Sequence, residues 1–164
     1  GVCVTGGEPL IQQGVEEFLT KIKDMGYMVK LDTNGSFPEK LRRIVEAGIV
    51  DYVAMDIKNS RESYGKTVGI EGYDVDKVQK SVEYLLSGAI PYEFCTTVVL
   101  EYHQRSDFES IGRWIAGAER YYLQRFISSE GVIREGLHRY NDSIMEQALE
   151  IVKKDVPSAR LRGW

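Results

Sequence analysis

The stretch Met28-Val29-Lys30-Leu31-Asp32-Thr33-Asn34-Gly35 runs into Pro38, an apolar spacing at Leu41, Ile44 and Val45, a stop at Gly48, and then Tyr52-Val53-Ala54-Met55-Asp56-Ile57-Lys58. This reads as strand, turn, helix and strand. Pro38 sits at a first helical position, where its missing N–H costs nothing, and Gly48 suits the exit. Val53 and Ile57 supply the β-branched character expected of a strand covered on both faces. A strand–helix–strand repeat implies parallel pairing through a right-handed crossover.

The same alternation extends in both directions. Strands are predicted at 2–5, 28–32, 52–57, 92–99, 120–126 and 159–162. Helical stripes are read at Val15, Phe18, Leu19, Ile22 and Met25, and at Val75, Val78, Val82, Leu85 and Leu86. Two more are read at Phe108, Ile111, Trp114 and Ile115, capped by Ser106 or Asp107, and at Ile144, Ala148, Leu149 and Val152. The aperiodic stretch 128–139 is predicted to be a loop. The expectation is one α/β domain spanning 1–164 with parallel strands. Periodicity alone leaves an open doubly wound sheet and a barrel both available.

Bulk properties narrow the function. The 164 residues are 43% apolar and 28% charged, enough for a real core. A net charge of −4 offers no general attraction to nucleic acid or anionic lipid. Apolar runs are too short for a membrane span or a signal peptide. Cys3 and Cys95 make no disulfide framework, which fits a reducing cytoplasm. The chain opens directly in Val2-Cys3-Val4, so residue 1 is expected to be a truncation point, with another strand belonging before it.

Parallel β/α folds gather chemistry at the carboxyl ends of their strands. Here those ends carry Thr5-Gly6-Gly7-Glu8-Pro9, Asp32-Thr33-Asn34-Gly35, Asp56-Ile57-Lys58 and Gln124-Arg125-Phe126, and the fourth strand holds Thr96-Thr97. Each has an ordinary reading: a tight turn, a helix start with a well-placed acid at Glu8, or an Asp56–Lys58 ion pair. Acids and amides at three successive strand ends together favour a binding site. Glycines admit a close ligand, Glu8 can accept from an ammonium, and Asp32 and Asp56 offer oxygens to a cation or hydroxyl. Lys58 can neutralise a carboxylate.

Val4-Thr5-Gly6-Gly7-Glu8-Pro9-Leu10 resembles the Gly-Gly-Glu segment of radical S-adenosylmethionine (SAM) enzymes. Leu31-Asp32-Thr33-Asn34-Gly35 and Met55-Asp56-Ile57-Lys58 resemble the matching motifs of glycyl-radical activating enzymes, in the right order. Tyr92-Glu93-Phe94, Thr96-Thr97-Val98-Val99, Arg120 to Phe126 and Leu161-Arg162-Gly163 look like the anaerobic ribonucleoside-triphosphate reductase activating protein.

The resemblance implies a partial (βα) barrel whose first strand and loop carry C-x-x-x-C-x-x-C for a [4Fe–4S] cluster. It implies electron delivery by flavodoxin or ferredoxin and reductive cleavage of SAM. The product radical takes hydrogen from a glycine of the reductase. By position, Gly6, Gly7 and Glu8 would meet the methionyl amine, and Asp56 and Lys58 the carboxylate and ribose region. Asn34, Thr97 and Leu123 would complete the SAM contacts, and Asp32, Thr33, Asp56 and the Ala54 carbonyl would hold a monovalent cation.

The departures are specific. No C-x-x-x-C-x-x-C occurs, and Cys3 is expected as a core thiol. Cys95 stands where a basic residue is expected, and Val99-Leu100-Glu101-Tyr102-His103 lacks a Pro-Gly pair. His103 is expected in solvent, and His138 has no support as a ligand. Two other readings are a small-molecule radical SAM synthase of modified-base pathways and a non-catalytic β/α binding module. The sharpest geometric expectation is that Asp32 and Asp56 meet on one rim beside Glu8, with an ion or Lys58 as counter-charge.

Overall fold

The structure is a computed structural model and describes residues 1–128 and 136–163. Six strands form one parallel sheet in chain order: β1 (Val2–Val4), β2 (Val29–Thr33), β3 (Tyr52–Asp56), β4 (Tyr92–Val98), β5 (Tyr121–Arg125) and β6 (Arg160–Arg162). The helices are α1 (Val15–Asp24), α2 (Pro38–Glu46), α3 (Tyr64–Val68), α4 (Val75–Leu86), α5 (Arg105–Trp114) and α6 (Asp142–Val152). A short 3-10 turn, Pro9–Ile11, follows β1. Every predicted strand is present to within a residue at either end. Contacts divide the chain into two compact units, Gly1–Asp56 with Asp74–Glu93, and Ile57–Tyr73 with Phe94–Trp164.

In the first unit, β2 alternates strictly. Val29, Leu31 and Thr33 are buried, while Lys30 and Asp32 stand half-exposed on the other face. The register sets Lys30 beside Cys3 and Tyr52, and Asp32 beside Ala54. Leu19, Ile22, Leu41, Ile44, Val78, Val82 and Leu85 fill the core, each worth about 1.5–3 kcal/mol. After β2 the chain turns through Gly35 at φ 75°, where an added Cβ would lie 2.1 Å from Met55 Cε. Glycine is needed there both for the turn and for the approach.

In the second unit β5 alternates, whereas β4 is buried on both faces from Phe94 to Thr96, Cys95 included. Phe94, Thr96, Val98, Tyr121 and Leu123 are buried, and Thr97 is exposed. Two polar groups on the buried face satisfy each other. The Tyr121 hydroxyl donates to Thr96 Oγ1 at 2.7 Å, which donates to the Ile57 carbonyl at 2.7 Å. Burial holds the Tyr121 phenol far above its ordinary pKa.

Several expectations need correction. Phe18 and Met25 lie on the exposed side of α1, at 53% and 65%. In α6 Ala148 and Val152 are in the core as predicted, but Met145 and Ile151 are buried in place of Ile144, which is exposed, and Leu149, which is half-buried. The N-cap of α5 is Gln104, so Asp107 falls in the first turn. Helix α3 was not expected, because it is too short to show a period. Of the predicted loop 128–139, positions 129–135 lie outside the described residues.

Candidate functional site

The loop after β1 begins with Gly6 at φ 98° and Gly7 at φ 54°. An added Cβ at either would meet nothing within 4 Å, so the backbone angle demands glycine and the space above stays open. Glu8 then turns inward. Its Oε1 accepts from the Leu10 N–H at 3.0 Å, capping the 3-10 turn, and from the Thr33 hydroxyl at 2.9 Å. Its Oε2 accepts from the Asn34 N–H at 2.6 Å. The helix-start reading of Glu8 is therefore realised, and the same carboxylate ties the β1 loop to the end of β2. A carboxylate offers about four acceptor directions, so with three filled Oε2 keeps one for a further donor.

Asp32 and Asp56 share a face at the carboxyl ends of neighbouring strands, because Asp32 pairs with Ala54 and Asp56 lies two residues beyond it. The counter-charge on Asp32 is not Lys58. Lys30, two residues earlier on the same face, donates to Asp32 Oδ1 at 2.6 Å and stands 4.0 Å from Glu93. Glu93 in turn accepts from the Tyr52 hydroxyl at 3.2 Å. The Thr33 side chain points to the opposite face from Asp32, and its hydroxyl is committed to Glu8. Asn34 Oδ1 accepts from the Ser36 N–H at 2.9 Å, an Asx turn that shapes the bend.

Cys3 is not a core thiol. It is exposed, and its Sγ–H donates to Asp32 Oδ2 at 3.5 Å. Partial desolvation first, and then the Asp32 charge, push its pKa up, which disfavours the thiolate a metal needs. Cys95 is buried on β4. Two cysteines on separate strands cannot supply three thiolates, so these 164 residues do not fit a [4Fe–4S] cluster. Among the described residues no group of three or more His, Cys, Asp or Glu side chains could hold a metal ion.

In the second unit Lys58 follows the end of β3 by two residues, and Thr97 is exposed near the end of β4. Leu123 is fully buried on the apolar face of β5. The alternation decides this, since Tyr121 and Leu123 turn one way, and Tyr122 and Gln124 the other. On that second face the Arg162 guanidinium stacks 3.6 Å over the Tyr122 ring, and Cys95 Sγ donates to Gln124 Oε1 at 3.5 Å.

His103 is the largest correction. Only 1% of it is exposed; Nε2 lies 2.9 Å from the Lys58 carbonyl, and Nδ1 lies 3.1 Å from the Val99 N–H. Burial lowers its pKa and keeps the ring neutral. Beside it the Asp107 carboxylate accepts from the hydroxyls of Ser60 at 2.6 Å and Ser63 at 2.8 Å and from the Gln104 N–H at 2.9 Å. Burial works against the Asp107 charge, and these three bonds more than offset it, so its pKa falls. His138 binds Glu101 at 2.7 Å.

Residues 1–115 match the radical SAM superfamily, and the chain belongs to it. The superfamily's cofactors are SAM and a [4Fe–4S] cluster. A protein of Methanocaldococcus jannaschii, named for glycyl-radical enzyme activation, is 30% identical over 76% of this chain and 54% of its own length. Two 7-carboxy-7-deazaguanine synthases are also similar. That of Thermoplasma acidophilum is 24% identical over 95% of this chain and 68% of its own length, and that of Methanopyrus kandleri 31% over 79% and 48%. The chain thus spans about half the length of the M. jannaschii and M. kandleri proteins. Among solved structures, a domain of the pyruvate-formate lyase-activating enzyme from Bacteroides vulgatus superposes with TM-score 0.78 at 14% identity, covering 99% of both chains. Streptococcus suis SuiB bound to S-adenosylmethionine gives 0.73 at 11% identity, over 98% of this chain and 39% of its own. The fold is the partial (βα) barrel of radical SAM enzymes.

Proposed function

We propose that this chain is the SAM-binding part of a glycyl-radical activating enzyme, with the anaerobic ribonucleoside-triphosphate reductase as protein substrate and flavodoxin or ferredoxin as cytoplasmic electron donor. The observation that carries it is the open Gly6-Gly7 bend above a Glu8 carboxylate that keeps one acceptor direction after three internal bonds. An ammonium donor on SAM fills that direction, and the bonds to Leu10, Thr33 and Asn34 hold the carboxylate still while it does. Bound SAM supplies the radical chemistry of the superfamily. On the resemblance, Asp56 and Lys58 take its carboxylate and ribose region, and Asn34 and Thr97 each add a contact to SAM. A monovalent cation between Asp32, Asp56 and the Ala54 carbonyl requires Lys30 to swing away from Asp32.

A small-molecule synthase is the second reading, favoured by the match to the T. acidophilum enzyme along 95% of the chain. Both readings share SAM. Calorimetric titration of SAM into this chain is expected to show saturable binding that Glu8→Gln weakens at least tenfold, with the thermal midpoint monitored in parallel. Equal affinity of the two proteins would remove Glu8, and with it the assignment of the loop.

A further inference from the structure

We infer that His103 is a positioning residue that sets the Lys58 backbone, and through it the Lys58 ammonium, from outside the Gly-Gly-Glu and Asp-x-Lys motifs. The inference rests on the assignment of Lys58 to the SAM site.

The backbone of Lys58 is held from both sides by buried side chains. Its N–H donates to the Tyr64 hydroxyl at 3.4 Å, and its carbonyl faces His103 Nε2 at 2.9 Å. Tyr64 and His103 are each 1% exposed, so neither bond is open to competition from bulk water. Nδ1 lies 3.2 Å from the Val99 carbonyl as well as facing the Val99 N–H, so the contact at Nε2, which meets only the Lys58 carbonyl, decides the tautomer. Nε2 carries the proton given to Lys58, and Nδ1 accepts from the Val99 N–H at 3.1 Å. The other tautomer would set two lone pairs against each other at the Lys58 carbonyl and leave the Val99 N–H without Nδ1 as acceptor.

The ring itself is fixed. It stacks on Phe108 of α5 with centroids 5.9 Å apart, and the His103 backbone carbonyl accepts from the Tyr140 hydroxyl at 2.5 Å. The residues after Lys58 are anchored to the same loop. Asn59 Nδ2 donates to the Tyr102 carbonyl at 2.9 Å and to Thr67 Oγ1 at 2.8 Å, and Ser60 donates to Asp107. A Lys side chain has four rotatable bonds, so its reach is set chiefly by where its Cα stands. Moving that backbone by about 1 Å is enough to cost a well-placed contact.

His103→Phe keeps the stack on Phe108 and removes both ring nitrogens, whereas His103→Gln returns an amide N–H near Nε2. The first measurement is hydrogen exchange of the segment 57–63 in this chain. His103→Phe is expected to speed exchange there at least tenfold, with β1 and β2 unchanged, and His103→Gln to recover most of it. Unchanged exchange in 57–63 would overturn the positioning role whether or not SAM binds. The second is a double-mutant cycle on SAM affinity with Lys58→Met. His103→Phe is expected to weaken SAM about tenfold alone and not at all in the Lys58→Met background. Additive losses would refute action through Lys58. If Lys58→Met by itself binds SAM normally, the assignment of Lys58 fails instead, which the exchange data alone would not reveal.

Discussion

Two strand ends in this molecule are braced in opposite ways. At the end of β1 the bracing group is the motif acid itself, since Glu8 caps the 3-10 turn and ties down Thr33 and Asn34. Beyond the end of β3 the motif residue is braced by others, with Tyr64 and His103 on the Lys58 backbone and Asp107 gathering Ser60, Ser63 and Gln104. A carboxylate can be scaffold and ligand at once because it has acceptor directions to spare. A lysine has only donors, so its scaffold must come from elsewhere. Substitution at the first end should therefore couple binding and folding. At the second end, substitution of Lys58 itself should touch binding and leave folding alone.

The strongest test of that contrast is Asp107→Ala. It strands the buried Ser60 hydroxyl and the Gln104 N–H at once, and is expected to cost roughly 2–4 kcal/mol in urea unfolding. A loss below about 1 kcal/mol would mean that the second end does not depend on this carboxylate.

Acid should reach the second end through His103. The folded pKa of His103 is lowered from 6.5 by burial, so its contribution is complete above pH 6.5 and is lost as pH falls below it. The loss should approach about 1.4 kcal/mol per pH unit while the ring stays neutral. Asp107 and Asp51 also have lowered pKa values, from 3.8, and carboxylates of this kind lose their contribution only as pH drops below that value. Between pH 6.5 and about 4.5 the decline therefore belongs to His103. Urea midpoints across that range should fall in the natural chain and fall less in His103→Gln.

The smallest effect belongs to Cys3. Its thiol makes one exposed bond to Asp32, so Cys3→Ser should change stability by less than about 0.5 kcal/mol in the same assay. A larger loss would show that β1 depends on its polar face.

Much of the fold is legible in the sequence, because strand alternation and helical stripes are local. The motif loop is legible too, including the ordinary role of Glu8 as a cap. His103 is not, since its bond to Lys58 joins residues 45 apart and no local pattern marks it. The face that Leu123 takes is legible by counting alternate residues from Tyr121. The buried set of α6 is not, because Ile144, Met145, Leu149 and Ile151 are all apolar and only packing chooses among them.

The strict alternation of β2 has a consequence for how such a chain can change over generations. One residue gained or lost inside Val29–Thr33 would carry Lys30 and Asp32 beneath the helices and turn Val29 and Leu31 outward in a single step. No later point substitution repairs that, so insertions and deletions are excluded from the strands. They can accumulate only in connections that carry no such parity. The length of β2 is thus inherited more strictly than the identity of any one of its residues.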